Sequence, residues 1–136
     1  GKMLTRSLEG RMGIVIDGTG KDYSNIKKQV DMVRSLGYAV HMIFVNTDLD
    51  TALARNKARP RSLPDDMVNK MWKQVQNNIG KFQSLFRQRM TIVDNSSGSD
   101  IDKATMSAYK KIQTWSKKAP ESGVAMKWIK GRKKNA

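Results

Sequence analysis

The chain has 136 residues, a formal net charge of +14 at pH 7, no cysteine and a single histidine. That length holds one domain or part of one. The absence of thiols excludes disulfides and thiolate metal sites and suits a reducing cytoplasm, and a lone histidine argues against a histidine-built metal centre or a Ser-His-Asp triad. The charge calls for an anionic partner: nucleic acid, nucleotide phosphates or an acidic surface. The alternative is a basic surface kept for solubility.

In chain order, residues 1–10 read as the end of a helix closed by Gly10. Residues 11–16, Arg-Met-Gly-Ile-Val-Ile, are a short apolar run of the kind buried on both faces of a parallel sheet. It stops at the turn-rich Asp17-Gly18-Thr19-Gly20. A helix over about 24–36 follows, with Ser24 or Asp22 as cap and Ile26, Val30, Val33 and Leu36 on one face. Tyr38 to Val45 reads as a second buried strand, whose His41 is a core residue rather than an acid or base. The apolar stretch from Val40 to Val45 is the longest in the chain, far short of the ~20 apolar residues of a membrane span. Asn46-Thr47-Asp48 then caps a third helix over about 49–58.

Pro64 suits the first turn of a fourth helix. Met67, Met71, Trp72, Val75 and Ile79 form its apolar stripe, and Gly80 is a candidate interruption. Met90 to Val93 is a third strand ending at Asp94-Asn95-Ser96. Ser99 opens a helix with Ile101, Ala104, Ala108, Ile112 and Trp115 facing the core. Residues 119–123 form a hinge, one or two helical turns follow over 124–129, and 131–136 are a frayed basic tail. The nine methionines read as core filler. The domain boundary falls at 118/119, with an α/β domain before it and a helix and tail after it. Alternating strands and helices mean parallel βαβ units, and ligands of such folds bind at the carboxyl ends of the strands.

Chemistry concentrates in two segments. Asp17-Gly18-Thr19 follows the first strand, and Arg55-Asn56-Lys57-Ala58-Arg59 lies on the helix after the second. Arg55 and Arg59 are four apart and share a helix face. Two adjacent guanidiniums repel unless an anion sits between them, and arginine binds phosphate through bidentate hydrogen bonds. Arg61 could join from the loop beyond. The competing reading is a solvated face, or arginines paired with Asp48, Asp50, Asp65 or Asp66.

With these residues in place the chain resembles the P-loop kinases of the polynucleotide-kinase and zeta-toxin type, many of them phage encoded. The resemblance rests on Ile14-Val15-Ile16-Asp17-Gly18-Thr19, Gly37-Tyr38, Phe44-Val45-Asn46-Thr47 and Arg55-Asn56-Lys57-Ala58-Arg59, in order and at matching spacing over about residues 10–95. It implies a parallel three-layer α/β fold, phosphoryl transfer from ATP or GTP with Mg²⁺, and cytoplasmic location. It casts Arg55 and Arg59, with Arg61 beside them, as lid arginines on the donor phosphates. It places Asp17 near the acceptor or the metal and Thr19 on the acceptor. For Asp17 a turn residue bonding its own backbone stays open, and Asn46-Thr47 reads more simply as a helix cap. No protein metal cluster is expected.

The chain departs from the family in having no Gly-x-x-x-x-Gly-Lys-Ser/Thr loop. The family's strand order puts the loop-bearing strand between 11–16 and 40–45, so the expected sheet is incomplete. Opening at Gly1 inside an apparent helix reads as a fragment completed by an N-terminal segment or partner chain, a degenerate kinase being the other explanation. The alternative function is a catalytically inactive module that binds nucleic acid through Lys127, Lys130, Arg132, Lys133 and Lys134. Trp115 and Trp128 are available to stack on bases, although helix packing explains them as well.

Overall fold

The computed structural model describes residues 2–135. Gly1, where the chain reads as opening inside a helix, and Ala136, the end of the basic tail, lie outside the described residues. The elements are α1 (Lys2–Glu9), α2 (Tyr23–Ser35), β1 (Met42–Asn46), α3 (Leu49–Lys57), α4 (Asp65–Phe86), a 3₁₀ turn (Arg87–Arg89), β2 (Met90–Asp94), α5 (Ile101–Ser116) and α6 (Gly123–Lys134). The fold is α/β. β1 and β2 pair in parallel, with Met42 opposite Met90 and Asn46 opposite Asp94. The connection between them carries α3 and α4, as a parallel pair requires.

Side-chain alternation along the strands puts α4 on one face of the sheet and α5 on the other. Phe44 of β1 meets Phe82 of α4 with ring centroids 6.2 Å apart. Gln76 of α4 donates to Asn46 Oδ1 at 2.7 Å. On the opposite face His41 rests against Trp115 of α5, and Thr91 and Val93 are buried. Phe82 is fully buried and sits among Val30, Phe44 and Phe86. The α4 stripe drives this packing, so Gly80 does not interrupt the 22-residue helix.

Residues 11–16 do not form the expected strand. Residues 12–19 carry no regular structure, and Val15 is 97% exposed. The segment hangs between two anchors: Tyr38 Oη donates to the Met12 carbonyl at 3.0 Å, and Asn78 Nδ2 donates to the Gly20 and Lys21 carbonyls, both at 3.0 Å. An apolar run becomes a strand only beside a partner, and among the described residues the sheet consists of β1 and β2 alone. β1 has an open edge on the side away from β2 among the described residues. Ile43 and Val45, on the α5 face, are 50% and 57% exposed because α5 covers β2 and not β1.

The structure decides three smaller points: it changes the closure of α1 and the state of the tail, and of the two caps offered for α2 it takes Asp22. α1 is closed by Arg11, which takes the left-handed conformation at φ 54°, and not by Gly10. α2 is capped by Asp22, whose carboxylate accepts from Asn25 N–H at 3.0 Å. The tail is not frayed, since α6 runs to Lys134. α6 docks on the turn after α2, where Gly37 has φ +95° and a Cβ would lie 2.8 Å from Ala125 N. Only glycine satisfies both that φ and that approach.

Candidate functional site

The carboxyl ends of β1 and β2 are laced together by short polar side chains. Asn95 N–H donates to the Asn46 carbonyl at 2.7 Å. Asp48 caps α3, accepting from Thr51 N–H at 2.7 Å and from the Thr51 hydroxyl at 2.9 Å. Ser97 N–H donates to Thr51 Oγ1 at 2.9 Å, and Asp48 N–H to Ser96 Oγ at 2.9 Å. Asp94 accepts from Ser96 N–H at 3.0 Å and from the Ser99 hydroxyl at 2.7 Å. The bonds from Thr51 hold the Asp48 carboxyl below its ordinary range, and those from Ser96 and then Ser99 do the same for Asp94. Asp48 is therefore the cap of α3, and Thr47 joins it to Asn46 at the end of β1.

Above this lattice lies a crevice of about 390 Å³ between β1, α3, α4 and the segment before α2. Thr19, Lys21, Arg55 and Arg59 line it, together with Asn46 and Thr47 from the strand end. Among the described residues its lining holds three cationic side chains and no carboxylate. Among the described residues none of Arg55, Arg59 and Arg61 forms an ion pair, and Asp65 engages Lys57 at 3.3 Å instead. α3 ends at Lys57, so Arg59 sits in the turn beyond the helix and not on it. Pro60 explains the stop, because the residue before a proline avoids the helical region. Arg55 and Arg59 nevertheless reach the same crevice.

Asn56 holds this turn. It is buried, donates from Nδ2 to the Leu63 carbonyl at 2.8 Å and accepts from Leu63 N–H at 3.0 Å. The loop carrying Arg59 and Arg61 is thereby closed by a two-point clamp. Trp72 Nε1 donates to the Thr47 carbonyl at 2.8 Å and completes the floor.

Asp17 is exposed and lies outside the crevice lining, as does Arg61. Lys127, Lys130, Arg132, Lys133 and Lys134 are exposed on α6, away from this crevice. Lys21 and Gln76 were not singled out from the sequence. Lys21 enters the crevice through the Asn78 hydrogen bonds, a contact spanning 57 residues that leaves no local signal. The described residues contain no group of three or more His, Cys, Asp or Glu side chains able to hold a metal ion, and no helix long and apolar enough to cross a membrane.

Residues 1–105 match the family described as Zeta toxin. The chain belongs to the zeta toxin family. This is a P-loop kinase-like family, and membership places the chain in the kinase-like phosphotransferase class. No curated protein and no solved structure gives a significant match.

Proposed function

We propose that the crevice at the carboxyl ends of β1 and β2 receives the phosphate chain of ATP or GTP, with Arg55 and Arg59 as its lid arginines. The observation that carries this reading is a lining of three cations without a carboxylate, on residues of a kinase-like family. Uncompensated guanidiniums a turn apart favour a multivalent anion. Arg55 and Arg59 would grip the donor phosphates bidentately and offset charge as the phosphoryl group moves, and Lys21 would add a point charge. Thr19 would donate to the acceptor or to a phosphate oxygen. Asp17, two residues from Thr19, would orient an acceptor hydroxyl of the polynucleotide-kinase kind, and Arg61 would add charge from the loop that Asn56 clamps. Mg²⁺ is normally held by one or two carboxylates plus substrate phosphates. Asp17 lies outside the crevice, so the residues present do not form that site and no step is assigned to the metal.

A further strand bearing a glycine-rich loop, from elsewhere in the polypeptide or from a partner chain, would complete the sheet between β1 and residues 11–16. The open edge of β1, the bare Ile43 and Val45 and the unpaired Val15 support this. Isothermal titration with ATP and GTP tests the reading. Weak, salt-sensitive binding is expected, falling about tenfold in Arg55→Ala and in Arg59→Ala, the loss of roughly one charge-assisted hydrogen bond. Unchanged affinity in both folded variants would refute the assignment.

A further inference from the structure

At the opposite end of the sheet, where β1 and β2 begin, α5 and α6 border a second cavity of about 950 Å³. Trp115 stands on one side with its ring 5.2 Å from His41. Trp128 stands on the other, and the Arg11 and Arg132 guanidiniums lie 5.7 and 5.2 Å from its ring centroid. Among the described residues, Arg11, Arg89, Lys110, Lys111 and Lys118 border the space against a single carboxylate, Glu121. Arg89 already engages that carboxylate at 3.6 Å.

Two further observations mark this space. Arg11 Nε and His41 Nδ1 are buried side-chain atoms with no hydrogen-bond partner among the described residues, and both residues line this cavity. Buried polar atoms are nearly always satisfied, so two orphans at one place need an explanation. Burial and then the charges of Arg89 and Lys111 also hold His41 below its ordinary value, which registers a positive field inside the cavity.

We infer that this rear cavity binds single-stranded nucleic acid, taking a base against the indole and guanidinium faces and the flanking phosphates on Lys110 and Lys111. A volume of about 950 Å³ accommodates a nucleotide. Aromatic and guanidinium planes interleaved with cations are the surface that a stacked base and its backbone use. An acidic peptide would neutralise the same charges but brings no planar base to lie against the guanidinium and aromatic planes. α6 continues the positive surface outward through Lys127, Lys130, Lys133 and Lys134, so a strand leaving the cavity stays on cations. The inference does not depend on the crevice at the other end of the sheet.

Fluorescence anisotropy of a labelled oligothymidylate, with tryptophan emission followed in parallel, tests this on the whole chain. Lys110 and Lys111 are exposed, so Lys110→Glu/Lys111→Glu leaves the core alone. The expected result is binding that weakens with salt and quenches tryptophan. The double reversal should lose about tenfold or more in affinity and lower the salt slope by about two, one per phosphate contact. Arg55→Ala/Arg59→Ala should bind the oligonucleotide as the wild type does, which separates failure here from failure of the kinase-like crevice. Three results would overturn the inference: unchanged affinity in the Lys110/Lys111 variant, loss confined to Lys133→Glu/Lys134→Glu, or equal competition by a poly-glutamate peptide.

Discussion

The two ends of the sheet differ in how their polar groups are paired. At the carboxyl ends of the strands, Asp48, Thr51, Asp94 and Ser96 satisfy one another, and the three cations of the crevice stand on that closed lattice. At the amino ends, a larger cavity is bordered by two buried polar atoms without a partner among the described residues and by two guanidiniums stacked on one indole. The first end combines a local cap, Asp48 on Thr51, with hydrogen bonds that tie the two strand ends together across 46 and 48 residues, and the second is built by the docking of α6 on Gly37 and Arg11 across most of the chain. A site made by docking depends on the stability of the helix that closes it.

Both ends share one core, and its loss should have the largest effect. Phe82→Ala removes a fully buried ring against Val30, Phe44 and Phe86, a change that costs about 3–5 kcal/mol. Urea denaturation should show that loss, and ligand binding at both ends should fall together. If one end kept its ligand in the unfolding range of the variant, the shared-core account would fail. Next in size, Asn56→Ala breaks both bonds to Leu63 and should cost about 1–3 kcal/mol. It should also weaken phosphate binding while oligonucleotide binding holds, and equal weakening at both ends would remove the distinction.

Gly80→Ala should act in the opposite direction. A Cβ at Gly80 meets nothing within 4 Å, and alanine in a helix interior is favoured by about 1 kcal/mol. The variant should melt higher with both sites unchanged, and a lower melting temperature would show that α4 is strained there.

Acidification should separate the ends by a smaller margin. His41 at the rear is depressed from 6.5, and Asp48 and Asp94 at the front from 3.8. In each case the folded value lies below the unfolded one, so the stabilisation is present at higher pH and lost on acidification. The rear contribution should fade first, as pH falls below 6.5, and the front one only below 3.8. In a pH series of unfolding free energies, His41→Gln should flatten the upper window and leave the lower one.

Much of the front end was legible in the sequence. Apolar runs located β1 and β2, and Asp48 located the start of α3; Ser99 reads as the opening of α5, whereas Asp100 is its cap. Arg55 and Arg59 line one crevice, but Arg59 lies beyond the helix whose face their spacing predicts they share. Residues 11–16 misled because a strand is defined by its neighbour, and no composition reveals whether that neighbour is present. α6 misled in the other direction: glycine and a run of cations suggest fraying, while Ala125 and Trp128 hold the helix against the body of the fold. Lys21 had no local signal because Asn78, far along the chain, positions it.

The most direct test is side-chain NMR of the arginine Nε–H groups during titration with tripolyphosphate. Joint shifts of Arg55 and Arg59, with Arg87 still, are the predicted outcome. If neither arginine responds, or if every exposed arginine moves alike, the crevice is not a phosphate site.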